Sequence, residues 1–193
     1  MMHLKRAILL LFVLFVFASP VLAGNPSPFG KDLIPRGQFG LGAHPTLLFG
    51  SGTSTFVFFG HFGYGITSGI AINGHVGFGA NNYQTYIGGD LRFDLLQSRG
   101  IGLNLLVGGH TGGQGAGFDA AFVFSADIRN TVGIMLALDA DFIVQNGGTT
   151  PPVHLDAGVQ FPLSRQIDLI LTGEIGITQT AVSGISGGLQ FYF

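Results

Sequence analysis

The sequence predicts an all-β chain of about ten antiparallel strands closed into a barrel that crosses a membrane, with eight strands as the alternative count. Three observations carry that reading. Apolar and polar residues alternate with period two through most of the chain, the alternating stretches are long enough for a tilted bilayer crossing, and every charged residue within them falls on one face. From Ile167 the chain reads Ile-Asp-Leu-Ile-Leu-Thr-Gly-Glu-Ile-Gly-Ile-Thr, with Asp168, Thr172, Glu174 and Thr178 all at even positions. A helix would scatter those four around its circumference, whereas a strand sets them on one side.

Taken in order, residues 24–36, with Pro26, Pro28 and Pro35, read as an irregular lead-in. The strand expected over 37–48 is interrupted by Pro45, which cannot donate to a ladder. Residues 54–65 set Phe56, Phe58 and Phe62 against His61, 70–80 set Phe78 against His75, and 83–95 set Leu91 against Asp90, Arg92 and Asp94. The same alternation defines strands over 101–111, 116–128, 131–144, 153–163, 167–178 and 184–193. An even number of strands can close antiparallel, and closure alone leaves no unpaired edge in lipid.

Composition narrows the class. The chain has 193 residues, 33 of them Gly, no Cys, no Trp, and a formal charge of -2. Absence of cysteine excludes disulfides, thiolate metal sites and a cysteine nucleophile. The near-neutral balance gives no electrostatic footprint for nucleic acid. A mean hydropathy of +0.50 is too high for a surface that faces only water.

Part of that excess sits in residues 1–23, where Lys5 and Arg6 precede an apolar run from Ala7 to Ala18 and then Ser-Pro-Val-Leu-Ala. The run is too short for a bilayer helix, which needs about 20 residues, and Val21 and Ala23 supply the small residues of a cleavage site. The expected organisation is therefore a signal peptide over 1–23, a periplasmic lead-in over 24–36 and a barrel domain over 37–193.

The faces are chemically distinct. One carries Asp90, Arg92, Asp94, Asp119, Asp127, Asp139, Asp141, Asp156, Asp168 and Glu174 together with His44, His61, His75, His110 and His154. The other carries Phe56, Phe58, Phe62, Phe78, Leu91, Leu103, Leu105, Val107, Phe122, Phe124, Leu136, Leu138, Leu155, Val159, Leu169, Leu171 and Leu189. A charge at the bilayer midplane costs roughly 2–4 kcal/mol, so the charged face is expected to point into the lumen. Turns bearing Arg99, Arg129 and Arg165 mark one rim and are expected to pair with Asp94, Asp127 and Asp168.

The signal segment, the amphipathic strands and the terminal Leu189-Gln190-Phe191-Tyr192-Phe193 together resemble the bacterial outer-membrane β-barrel family. The resemblance implies a cell outer-membrane location, outer-membrane lipid around the barrel, and recognition of the C-terminal strand ending at Phe193 by the barrel-assembly machinery. It implies no catalytic residues and no cofactor.

Function has to come from the lumen. One register of the hairpin 131–163 places Asp141 opposite His154 and Asp139 opposite Asp156, and His110 can oppose Asp119 across the preceding loop. His44 is expected at the same rim. The candidate metal or cation ligands are therefore His110, Asp119, Asp139, Asp141, His154 and Asp156, since imidazole and carboxylate suit zinc and carboxylates suit calcium. The set Asp139, Asp141, His154 and Asp156 also resembles the acid and acid-histidine pairs of the omptin proteases, although here both pairs lie on adjacent strands. The sequence favours a structural barrel or a narrow cation-preferring pore. A metal-binding or hydrolytic barrel and a soluble ligand-binding barrel are the alternatives, and an enzyme is the less favoured reading.

Overall fold

A computed structural model describes residues 30–50, 53–80, 83–98, 100–113, 115–128, 131–144 and 151–193. The signal segment, residues 24–29, Arg99 and Arg129 lie outside these. Ten strands form one closed antiparallel barrel: β1 Phe39–Gly50, β2 Thr53–Gly65, β3 Ile70–Gly79, β4 Gln84–Ser98, β5 Ile101–Gly113, β6 Gly117–Ile128, β7 Val132–Ile143, β8 Val153–Pro162, β9 Ile167–Gly176 and β10 Ser183–Tyr192. Each strand pairs with its sequence neighbours, and β10 returns to β1. The seam is finished by reciprocal backbone hydrogen bonds between Phe39 and Phe193, at 3.1 and 2.9 Å.

All the apolar residues assigned to the outer face are exposed or half-buried, among them Phe56, Phe62, Phe78, Phe122 and Leu138, each at least half exposed. Water would not tolerate a continuous apolar belt of this extent; lipid requires it. Pro45 lies on that outer face, and the β1–β10 pairing stops at Ala43 and resumes at Thr46, so the missing N–H coincides with a gap in the ladder. Opposite the gap, Gly188 lets the Ala43 carbonyl and the His44 ring approach to distances at which a side chain would collide.

Two details differ from the periodicity. β4 continues to Ser98 because a bulge between Asp94 and Leu96 turns both Leu95 and Leu96 outward, at 51% and 53% exposure, and so breaks the alternation that had ended the strand at 95. The lumen is also less polar than charge counting implied. Leu48, Val57, Phe59, Tyr86 and Val182 form one buried apolar cluster, and Leu106, Ala121, Val123, Met135, Ala137 and Ile170 form another. Inward glycines make room for the bulky members: a Cβ on Gly77 would lie 2.6 Å from the Phe59 ring, and one on Gly158 would collide with Met135. Side chains therefore fill much of the bore, as expected for a narrow barrel.

Candidate functional site in the lumen

Every charged residue assigned to the inner face lies on the lumen-facing parity of its strand, and Asp90, Arg92, Asp141, His154, Asp156, Asp168 and Glu174 are buried. They fall into three groups along the barrel.

The first lies near the middle of β1 to β4. His61 and His75 are cross-strand partners, as are Asn73 and Asp90. Asn73 Nδ2 donates to Asp90 Oδ1 at 2.8 Å, and His75 Nε2 lies 2.5 Å from Asp90 Oδ2. With His75 Nε2–H donating to the carboxylate, a neutral His75 presents Nδ1 as acceptor, and His61 Nδ1–H fills it at 2.7 Å. The His44 ring meets His61 edge-on at 4.7 Å. His44 thus belongs to this mid-barrel chain and not to the rim: it is the sixth residue of the twelve-residue β1.

The second group occupies the half of the lumen away from the chain termini. The β7–β8 register sets Asp139 opposite His154 and Ala137 opposite Asp156, two residues from the expected pairing. Asp141 turns instead to His110, whose Nε2 is 2.9 Å from its Oδ1 and whose ring stacks on Tyr86 at 5.2 Å. His110 faces Gly117 across the β5–β6 ladder rather than Asp119, and Asp119 is the direct partner of Asp141. His154 Nε2 lies 3.2 Å from Glu174 Oε1, with Asp139 further off at 3.9 Å, and Asp156 faces Glu174. The six candidate ligands are thereby divided into His110, Asp119 and Asp141 on one side and Asp139, His154 and Asp156 on the other, with Tyr86 and Glu174 as members the sequence reading missed. The β8–β9 alternation holds the signal for Glu174, since it shares a face with Asp168 and Thr172. Among the described residues no three His, Asp or Glu side chains are grouped so as to hold a metal ion.

The third group is at the mouth bearing both termini, where residues 30–36 enter the barrel. Arg92, 1% exposed, donates from Nη1 to the Gly30 carbonyl at 3.0 Å and from Nη2 to the Lys31 carbonyl at 2.8 Å. The Lys31 N–H donates to Gln160 Oε1 at 2.8 Å, and its ammonium pairs with Asp32 and, at 3.0 Å, with Asp127. Ile34 is 2% exposed and packs where Gly63 has no side chain, Pro35 lies against Gly65, and the Lys31 stem lies against Gly133. Of the expected turn-arginine pairs, those of Arg99 and Arg129 lie outside the described residues. Lys31 takes Asp127, Gln160 Nε2 donates to Asp168 at 2.6 Å, and Arg165, in an exposed turn, makes no ion pair among the described residues.

No family model and no curated protein matches the chain. Among solved structures, the chain is similar to the KdgM porin, at 8% identity and a TM-score of 0.51, covering 80% of this chain and 99% of that one. It is also similar to an outer membrane channel from Pseudomonas putida F1, at 8% identity and a TM-score of 0.51, covering 88% of this chain and 100% of that one. At such identities the likeness is one of fold. By fold the chain is a closed ten-stranded antiparallel β-barrel, an architecture similar to that of these two proteins.

Proposed function

We propose that this protein is an integral outer-membrane barrel of channel type whose lumen is closed at rest by its own residues 30–36. The observation that carries the reading is Arg92, a buried guanidinium that commits both terminal nitrogens to carbonyls of a segment outside the wall. Three wall glycines, Gly63, Gly65 and Gly133, lie where that segment packs, so the wall is shaped to receive it. The fold likeness to a porin and an outer-membrane channel supports the channel class. The longest connection in the barrel, 144–152, is at the rim away from the termini, which supports that rim facing outside and the plugged mouth facing the periplasm. In this reading the C-terminal strand ending at Phe193 serves the assembly machinery, and the histidine and carboxylate groups of the upper lumen line and rigidify the wall, leaving residues 30–36 to close the passage between them.

The test is conductance in planar bilayers. The chain from Gly24 onward should be nearly silent, and a chain beginning at Gly37 should show discrete steps. Equal conductance of the two would remove the reading.

The closed state should also be insensitive to mild alkali. Burial opposes the Lys31 ammonium, but hydrogen bonding and Coulomb attraction from Asp32 and then Asp127 outweigh it and hold the group above its ordinary value of 10.5. A group raised on folding contributes fully below its unfolded value and is lost only as pH passes the folded one. Conductance of the intact chain should therefore be the same at pH 7 and pH 9 and rise only above 10.5; opening already at pH 9 would show that Lys31 is not held in this way.

A further inference from the structure

Around the inserted segment the mouth holds three neighbouring spaces of about 270, 100 and 270 Å³, and Asp32 borders all of them. The wall carboxylates that face them are Asp94 on the first, Asp127 on the second and third, and Asp168 on the third. Against these three, the described residues of the wall set one inward cation, Arg92. The inserted segment brings two cations of its own: Arg36 borders the first space, and the Lys31 ammonium borders the second and third, seated between Asp32 and Asp127.

A buried amide points to the same conclusion independently of the charges. Asn104, 3% exposed, borders the first space with an Oδ1 that has no hydrogen-bond partner. A buried acceptor without a donor costs about 1–3 kcal/mol. Wall groups of this kind suit a ligand that brings N–H donors and positive charge.

We infer that this mouth is a binding site for organic ammonium groups, occupied at rest by the side chain of Lys31 and opened to external polyamines when residues 30–36 leave. The inference rests on the plugged-barrel reading and names the ligand class of the same mouth. Lys31 acts as a tethered competitor: while its ammonium holds Asp127, an external cation finds no carboxylate unpaired there. Once the segment has gone, Asp127 and Asp94 face the lumen at its entrance, and permeant ions meet an excess of negative charge.

The probe is spermidine, used on the chain beginning at Gly37 and on the same chain with Asp127→Asn. Under a KCl gradient the reversal potential of the shortened chain should show preference for potassium over chloride, and spermidine added on the side of the termini should block it. Asp127→Asn should weaken that block by about tenfold, as expected for loss of one charged hydrogen-bond partner. A shortened chain that conducts without cation preference and without block would overturn the inference while leaving the plug in place. A shortened chain that stays silent would instead remove the plug reading. In that case thermal melts in detergent decide the binding site: spermidine should stabilise the shortened chain and not its Asp127→Asn variant, and equal behaviour of the two would overturn it.

Discussion

Leu138→Arg should destabilise the barrel by about 2–4 kcal/mol. Leu138 lies mid-strand in β7, half exposed, with Phe122 of β6 and Leu155 of β8 as its direct outward neighbours. An arginine there faces acyl chains, at a cost of about 2–4 kcal/mol, which is a large share of the 5–15 kcal/mol that typically separates folded from unfolded protein. The cost should depend on depth. Val144→Arg, at the end of the same hairpin arm and 68% exposed, should cost no more than about 1 kcal/mol because the guanidinium reaches the headgroups. Urea titrations of both variants in liposomes, read by heat-modifiable gel migration, measure the difference. Equal stabilities would mean that this face does not contact lipid.

The second large effect is expected from Arg92→Met, which keeps the length of the side chain and removes its donors. The Gly30 and Lys31 carbonyls then lose their partners in a buried place, at about 1–3 kcal/mol each. Because those carbonyls belong to the inserted segment and not to the ladder, the penalty should fall on the seating of residues 30–36, with the wall intact. Trypsin should then cut after Lys31 and Arg36 in the folded variant much faster than in the parent chain. Heat-modifiable migration serves as the control for the barrel itself. Retained protection of Lys31 would show that the glycine-lined seats suffice without the guanidinium.

Most of the architecture was legible because a barrel wall in lipid obeys a strict two-residue rule. Even Pro45 was tolerated, since it faces outward at a gap in the ladder. Register was not legible: sliding β8 by two residues against β7 preserves which face each side chain occupies, so the pairing of Asp139 with His154 and the expected pairing of Asp141 satisfy the pattern equally well. Only packing decides, here through His110 and the stacked Tyr86 drawing Asp141 to the other side. The apolar filling had a signal that charge counting passed over. Runs such as Phe56-Val57-Phe58-Phe59, Phe122-Val123-Phe124 and Leu169-Ile170-Leu171 do not alternate, and an apolar residue between two outward ones has to point into the lumen. The position of residues 30–36 had no periodic signal at all, because irregular backbone carries none; its trace in the sequence is Arg92, a lone inward cation among carboxylates.

Gly37 and Gln38 are all that separates the inserted segment from the first wall strand. A stopper tied to the rim by so short a leash is never diluted. When it leaves, its local concentration at the mouth stays near the millimolar level typical of short linkers, so reseating is a unimolecular step whose rate ignores how much protein the membrane holds. Opening events should accordingly be brief and self-terminating, with lifetimes set by the chain itself, and a free peptide of the same sequence would have to be supplied at about millimolar concentration to seal an untethered barrel equally well.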